Sequence, residues 1–107
     1  PEAQGPQITI ATIMGQTASY FGLSMEDLSG TSRSRVLVTA RHIAMYLCRE
    51  LTDLSLPKIG QQFGGRDHTT VAHGLRSVTA KLDHPAFKAW MDDQRIRDAL
   101  SQSEAEP

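Results

Sequence analysis

Two adjacent glycines, Gly64 and Gly65, separate two stretches whose apolar residues recur at helical spacing. Glycine tolerates backbone angles that would strain other residues, so the pair is suited to a turn between helices. Asp67 follows, and its side-chain oxygen can cap the free amides at the start of the second helix. That helix has one apolar stripe, formed by Val71, Leu75, Val78 and Leu82. The pattern predicts a helix-turn-helix unit with a slightly long turn, although a purely structural helical hairpin shares this spacing.

The remainder of the chain also shows helical spacing, and no strand pattern is visible. Helices are predicted over about residues 8–21, ending at Gly22; over a short turn after Ser24; from Val36 or Thr39 to Leu51; over residues 58–63; and from residue 85 onward, with Phe87, Trp90 and Met91 inward. We therefore expect an all-α fold, a small helical domain that contains the helix-turn-helix and a C-terminal helix.

The long central helix is predicted to bury one stripe, which comprises Val36, Ala40, Ile43, Ala44, Leu47 and Leu51. On a helical wheel, the opposite and solvent-facing side comprises Arg41, His42, Met45 and Arg49. Gly74 lies within the helix that follows the turn, where glycine costs about 1 kcal/mol relative to alanine. Its position beside the apolar stripe predicts close packing of a neighbouring helix.

A chain of 107 residues has the length of one small domain. We divide it into a linker remnant at residues 1–7, a domain at 8–100 and a disordered tail at 101–107. Because the chain begins at Pro1, we expect it to be a fragment of a longer protein. The single Cys48 excludes an internal disulfide and a cysteine-based zinc site, and its helical surroundings predict a reduced, half-buried thiol. No apolar run of membrane length and no signal peptide is visible, which fits a cytoplasmic setting.

Charge is distributed unevenly along the chain, whose formal net charge is −1. Residues 33–76 contain seven basic and three acidic side chains, a local charge of +4, and the other residues together carry −5. A basic region on an otherwise acidic body is typical of proteins that bind nucleic acid. Chance clustering on a solvated surface is the competing interpretation.

Enzymatic interpretations find little support in the sequence. His68 and His73 are five residues apart, about 140° around a helix, so they do not share a face as zinc ligands spaced four apart do. The glycine pair has neither the preceding strand nor the following lysine of a nucleotide-phosphate loop, and no catalytic nucleophile or carboxylate pair is legible. We therefore expect no catalytic residue, no metal and no cofactor in this chain.

The first turn of the second helix carries side chains that can read DNA. Asp67 can accept a hydrogen bond from cytosine N4, and His68 and Thr69 have apolar edges that can touch a thymine methyl group. Thr70 and His73 can donate to phosphates, which a helix N-terminus also favours. The structural alternatives are an ordinary cap for Asp67, an incidental surface histidine for His73, and a packed or capping role for His68, which is predicted nearer the core side.

Residues 59–74, with the sequence IGQQFGGRDHTTVAHG, closely resemble the signature of the C-terminal DNA-binding domain of the DnaA family, the bacterial chromosomal replication initiators. Further matching segments are Arg33-Ser34-Arg35, the helix over 40–51, and Glu50-Leu51-Thr52 followed by Ser55-Leu56-Pro57. The resemblance covers about residues 8–91. At Thr31, Ser32 and Thr39-Ala40 the chain lacks residues that are frequent in the family, so we expect a weaker electrostatic contribution.

The resemblance implies binding to DnaA boxes in duplex DNA at the replication origin, with the helix-turn-helix in the major groove and an arginine in the adjacent minor groove. The implied base contacts are Arg33 in the minor groove and Pro57, Asp67, His68 and Thr69 in the major groove. The implied phosphate contacts are Arg35, Arg41, His42, Arg49, Leu56 through its amide, Thr70 and His73. For three of these, the helical wheel independently predicts a shared solvent-facing side: Arg41, His42 and Arg49.

Full-length members of the family carry an ATPase module, oligomerise and associate with acidic phospholipids. No ATP-binding motif occurs in this chain, so we expect those properties to belong to other domains. We expect this chain to bind one box as a monomer. Two alternatives remain open. One is a helix-turn-helix transcription regulator, since initiators of this family also repress genes, and the other is a helical protein-interaction module with no DNA role.

Overall fold

The computed structural model describes residues 9–93, and within that range the chain is helical and contains no β-strand. Its helices are α1 (Ile10–Phe21), α2 (Met25–Ser29), α3 (Arg35–Leu51), α4 (Leu56–Gln62) and α5 (His68–Lys81), followed by a helical segment over residues 85–93, termed α6. The predicted all-α class is confirmed. The predicted linker at 1–7 and tail at 101–107 lie outside the described residues, as do residues 94–100 of the predicted domain.

Side-chain and glycine caps set the ends of the helices. α1 ends at Gly22, as predicted; its φ of 69° is left-handed, and its amide donates to the carbonyls of Ala18 and Ser19. α2 begins with a reciprocal capping box between Ser24 and Asp27, in which each side chain accepts a hydrogen bond from the other residue's amide. These caps satisfy groups that helix ends otherwise leave unpaired, so the chain changes direction without losing hydrogen bonds.

α3 lies at the centre of the fold and packs against α1, α2, α4 and α5. The buried cluster comprises Ile13, Met14, Ala18, Leu28, Ala40, Ile43, Ala44, Met45, Leu47, Cys48, Ile59, Phe63, Val71, Val78 and Met91. Each large apolar side chain buried in this way contributes about 1.5–3 kcal/mol. The inward stripe predicted for α5 is confirmed at Val71 and Val78, whereas Cys48 is fully buried and not half-buried as predicted.

Two predictions for the faces of α3 are wrong. Val36 is 52% exposed, because burial on α3 begins only at Ala40 and the first turn extends beyond the core. Arg41 and Met45, predicted to face solvent, are 4% and 1% exposed. The helical wheel assumed one buried stripe, whereas α3 packs against both α1 and α5, so residues outside that stripe are also covered.

Close backbone approaches fix the turn between α4 and α5. Gly64 and Gly65 have φ values of 81° and 79°, in the left-handed region that glycine tolerates. A Cβ on Gly64 would lie 2.1 Å from the Ser29 carbonyl oxygen, and a Cβ on Gly60 would lie 2.0 Å from the Arg66 carbonyl oxygen. The turn is therefore pressed against α4 on one side and against the end of α2 on the other.

Gly74 marks the crossing of α3 and α5, as predicted. A Cβ on Gly74 would lie 2.9 Å from Cδ2 of the His42 ring and 3.2 Å from the Met45 sulfur. α5 therefore approaches α3 more closely than an alanine would permit. This crossing sets the position of His42 relative to the exposed face of α5.

Candidate nucleic-acid interface

The start of α5 is organised by one carboxylate. Oδ1 of Asp67 accepts hydrogen bonds from the Thr69 hydroxyl at 2.6 Å and the Thr70 amide at 3.0 Å. The Thr69 hydroxyl, followed by the Thr70 amide, lowers the pKa of the Asp67 carboxyl below its ordinary value. The predicted cap is confirmed, and because both bonds end on Oδ1, capping does not require Oδ2.

The predicted recognition face of α5 is open to solvent. His68, Thr69, Thr70 and His73 are all exposed. The expectation that His68 lies nearer the core side is wrong, because burial along α5 begins at Val71, nearly one turn after this first residue of the helix. The face presents imidazole and hydroxyl groups beside an anionic cap, which are groups able to pair with base edges.

Residues from three segments meet around one cavity, termed the arm cavity. It has a volume of about 380 Å³ and is lined by Arg33, Val38, Arg41, His42, Met45, Arg66 and Thr70. Arg33 is exposed and lies in the connector between α2 and α3 (residues 30–34), whereas His42 lies on α3 and Thr70 on α5. The structure thus brings the predicted minor-groove arginine beside predicted phosphate contacts from two helices. Arg35, the exposed first residue of α3, does not line the cavity.

Arg41 directs its guanidinium into the protein. Nε donates to the Leu28 carbonyl at 3.1 Å, Nη1 to the Ser32 carbonyl at 2.6 Å, and Nη2 to the Asp27 carbonyl at 3.1 Å. Burial and then the nearby charge of Arg66 lower the pKa of Arg41, against a smaller raising effect from Asp27. Since all three nitrogens bond to the backbone, this geometry supports a structural role for Arg41 in place of the predicted phosphate contact.

His42 and His73 form an edge-to-face pair where α3 crosses α5, with ring centroids 5.8 Å apart. Burial lowers the pKa of His42 most, and the charges of His73, Lys81, Arg41 and Arg66 lower it further. His42 is half-buried and His73 is exposed. In the free protein His42 is therefore neutral at about pH 7, and a phosphate placed beside it would favour the protonated, donating form.

A second group of predicted contacts lies at the far end of α3. Arg49, exposed in the last turn, donates from Nη1 to the Leu54 carbonyl at 3.2 Å. α4 then begins with the half-buried Leu56 and the exposed Pro57, and the Leu56 amide, at the first helical position, has no acceptor within the helix. Arg49 lies about 10 Å from His42 by helical rise. This group therefore stands apart from the arm cavity.

Arg66 has partners that its sequence context does not reveal. Its guanidinium donates to the Phe63 carbonyl within the turn and to the Gly30 carbonyl of the connector. Gly30 and Arg66 are 36 positions apart, and helical periodicity predicts neither bond because both acceptors are backbone atoms brought together by folding. Sequence reasoning counts Arg66 only as one charge of the basic region.

Two other kinds of feature, a metal-binding cluster and a membrane-spanning helix, are absent from residues 9–93. No group of three or more His, Cys, Asp or Glu side chains in that range is arranged to hold a metal ion. No helix in the same range has the length and apolar character needed to cross a membrane.

Comparisons with known sequences bear on the helix-turn-helix region. The family described as bacterial dnaA protein helix-turn-helix matches residues 10–78. The chain is 61% identical over 82 residues to the chromosomal replication initiator protein DnaA of Cutibacterium acnes. It is 57% identical over 82 residues to the protein of the same name from Mycobacteroides abscessus. Each match covers 77% of this chain and 16% of the relative, so the chain spans a small part of these proteins.

The fold also matches a solved structure. A crystal structure of a DNA replication initiation factor aligns with a TM-score of 0.81 at 32% sequence identity. The alignment covers 87% of this chain and 29% of the solved one. The helical arrangement described above therefore recurs within a larger protein.

Proposed function

This chain belongs to the family of bacterial DnaA helix-turn-helix domains, a non-catalytic kind of module, and we propose that it binds duplex DNA sequence-specifically at DnaA boxes of a replication origin. One observation supports this most strongly: the exposed first turn of α5 and the arm cavity share Thr70, so Arg33 lies beside the recognition helix. One face can then offer a helix to the major groove and an arginine to the adjacent minor groove.

Base contacts in the major groove are proposed for Asp67, His68, Thr69 and Pro57. The Asp67 carboxylate can accept from cytosine N4 through Oδ2 while Oδ1 keeps the cap. The Thr69 hydroxyl is engaged with Asp67, so its methyl group is the part available to touch a thymine methyl. His68 and Pro57 are exposed at the starts of α5 and α4 and add apolar edges to the same reading.

Arg33 is proposed to read the minor groove. A·T-rich segments have narrow minor grooves with enhanced negative potential, which attract an inserted arginine. Arg33 is exposed, and its connector lies against Arg41 and Arg66. The charge of these neighbours adds to the potential that draws the phosphate backbone toward this face.

Phosphate contacts are proposed for Arg35, His42, Arg49, Thr70, His73 and the Leu56 amide. The N-termini of α4 and α5 supply free amides and partial positive charge, which favour phosphate nearby. Arg41 is left out of this set because its guanidinium is bonded to three backbone carbonyls. These contacts provide affinity and orientation, whereas the base contacts provide specificity.

We propose that the domain binds one box as a monomer and acts in the cytoplasm on the nucleoid. Because the chain spans 16% of its curated relatives, the initiation of replication, ATP hydrolysis, oligomerisation and association with acidic phospholipids are proposed as properties of longer proteins that contain such a domain. No cofactor is proposed for the domain itself.

The test is a titration of fluorescently labelled duplexes that contain origin boxes or the same bases in scrambled order. At physiological salt the box should bind roughly 10³-fold or more tightly than the scrambled duplex, and affinity for both should fall steeply as salt rises. Flat curves for both duplexes at low salt would contradict the proposal and favour a protein-interaction module.

A transcription regulator with the same fold is the second candidate, because promoter operators offer the same base edges as origin boxes. Competition between origin boxes and promoter operators separates the two. Preference for origin boxes supports the proposal, and preference for promoter operators supports the regulator.

A further inference from the structure

The connector that carries Arg33 is held from two directions by arginines of other elements. From α3, Arg41 donates to the Ser32 carbonyl, one residue before Arg33, as well as to carbonyls at the end of α2. From the turn before α5, Arg66 donates to the Gly30 carbonyl. Arg33 therefore follows a short backbone segment whose carbonyl groups accept hydrogen bonds both from α3 and from the turn before α5.

The turn itself is docked against the same region. A Cβ on Gly64 would lie only 2.1 Å from the Ser29 carbonyl oxygen, so the backbone there leaves no room for a side chain. Arg66 spans this contact, since the same guanidinium bonds to the Phe63 carbonyl of the turn and to the Gly30 carbonyl beyond Ser29. A planar guanidinium presents several donors on separate nitrogens in a fixed fork and can join two carbonyls in this way, whereas the three donors of a lysine ammonium all sit on one nitrogen atom.

We propose that Arg66 is a positioning residue for DNA recognition: by tying the connector to the helix-turn-helix turn, it fixes Arg33 relative to the first turn of α5. This inference rests on the proposed function. A minor-groove arginine and a major-groove helix must engage neighbouring grooves at once, so a preformed spacing removes the cost of ordering the arm on binding. The Arg66 guanidinium acts through Arg33.

The charge of the arm cavity opposes the placement of Arg33 beside the other two arginines. Arg33, Arg41 and Arg66 all line the cavity, and like charges at short range repel. Without the hydrogen bonds to Gly30 and Ser32, the connector would be free to move away from the other two guanidiniums. The backbone carbonyls offset that repulsion and keep the arm beside α5 in the absence of DNA.

A double-mutant cycle between Arg66 and Arg33 tests the proposal. The variants are Arg66→Lys, which keeps the charge, Arg66→Met, and Arg33→Ala, singly and combined. Binding is measured on a box duplex and on a duplex whose A·T pairs under the arm are replaced by G·C. Arg76→Met, at an exposed arginine of α5, is the matched control for loss of one charge from the same helix-turn-helix unit. Thermal melting of every variant reports folding, and if Arg66→Met does not fold the cycle is read from Arg66→Lys.

The proposal predicts that Arg66→Lys weakens box binding roughly tenfold in the wild-type background and less than about twofold in the Arg33→Ala background. The penalty for G·C pairs under the arm should also shrink in Arg66→Lys. Arg76→Met should lose the same factor in both backgrounds, because distant charges act independently.

Two results would overturn the inference. An Arg66→Lys loss that is equal in both backgrounds means that Arg66 contributes independently of Arg33. Unchanged binding by Arg66→Lys means that the tether has no part in recognition. Failure of the wild-type domain to bind any duplex is a different result, which removes the proposed function itself.

Discussion

At the scale of single residues, Asp67 joins local folding to the proposed recognition of DNA. Its Oδ1 caps α5 through Thr69 and Thr70, and its Oδ2 is assigned to a base. The capping bonds lower the pKa of the carboxyl, so the group is ionised at neutral pH. An uncompensated anion facing phosphates weakens binding, and only a donor on a base offsets that repulsion.

Asp67→Ser separates these two tasks, because serine caps helices as well as aspartate does but cannot accept strongly from cytosine N4. We predict an unfolding midpoint close to that of the wild type, with discrimination at one base pair relaxed by about tenfold. The measurement is urea unfolding together with binding to duplexes changed at each box position in turn. Asp67→Ala is the control, which loses both the cap and the contact. Full discrimination by Asp67→Ser would show that Asp67 is only a cap.

We expect His42 to give the proposed interface a pH dependence. Its pKa is lowered in the free fold, so below about pH 6.5 the unfolded chain takes up a proton that the folded chain does not. The free energy of unfolding is therefore highest above about pH 6.5 and falls as the pH is lowered. Binding has the opposite sign, because a phosphate favours the protonated imidazole, and affinity for the box should rise on the order of 3–10-fold from pH 7.5 to 6.

The measurement is box affinity across this pH range for the wild type, His42→Gln and His84→Gln. His84 is exposed and lies outside the proposed interface, so His84→Gln should keep the pH dependence whereas His42→Gln should reduce it. Identical pH profiles for all three proteins would contradict the role of His42.

Residue chemistry could be predicted from sequence where it is local. The Asp67 cap depends on residues two and three positions away, and the exposure of Thr69, Thr70 and His73 follows from the stripe of α5. The burial of Arg41 and the tether of Arg66 could not be predicted. Their acceptors are backbone carbonyls of other segments, and a helical wheel that assumes one buried stripe places Arg41 on the solvent side.

At the scale of elements, the turn between α4 and α5 docks on the end of α2. Gly64 and Gly65 have nearly the same φ, but a Cβ on Gly64 would strike the Ser29 carbonyl whereas a Cβ on Gly65 would meet nothing within 4 Å. Substitutions at Gly64 and Gly65 therefore separate the cost of a left-handed backbone from the cost of moving the turn away from the end of α2.

Gly65→Ala should lower the free energy of unfolding by about 1–2 kcal/mol through the left-handed backbone alone. Gly64→Ala should lower it by about 1–3 kcal/mol more, because the added methyl group overpacks a backbone contact. Box binding, measured under conditions where both variants are folded, should fall further for Gly64→Ala because the connector moves with Ser29. Equal losses for the two variants would show that the contact with α2 does not matter.

Element order and boundaries could be predicted well from caps and periodicity. Gly22, Ser24 and Asp67 each stop or start a helix where the sequence predicts. The enclosure of α3 could not be predicted, because one-stripe periodicity does not tell how many neighbours a central helix has. The prediction that Met45 is exposed fails for that reason, whereas Val36, predicted buried, is exposed because the first turn of α3 extends beyond the core.

At the scale of the whole molecule, the chain has a net charge of −1, but its charge is unevenly distributed between a basic region and an acidic remainder. Not all of the basic region is available to DNA. Arg41 and Arg66 are bonded to backbone carbonyls, whereas Arg33, Arg35 and Arg49 are exposed. The three exposed arginines that are assigned to DNA predict a slope of roughly −3 in a plot of log affinity against log salt.

Arg49→Gln should weaken binding to box and scrambled duplexes by the same factor and make the salt slope shallower by about one. The measurement is a salt titration of both duplexes. Arg41→Gln is the comparison, because loss of these buried hydrogen bonds should lower thermal stability and leave the salt slope nearly unchanged. A loss confined to the box duplex would contradict the assignment of Arg49 to phosphate.

The central claim is that one face of this domain reads two neighbouring grooves, with α5 in the major groove and Arg33 in the minor groove. Methylation protection with dimethyl sulfate tests it directly, since guanine N7 lies in the major groove and adenine N3 in the minor groove. On one box the domain should protect guanine N7 where α5 binds and adenine N3 in the adjacent A·T segment, and Arg33→Ala should lose only the adenine protection. Protection of guanine N7 alone by the wild-type domain, or of neither position at saturating protein, would contradict the claim.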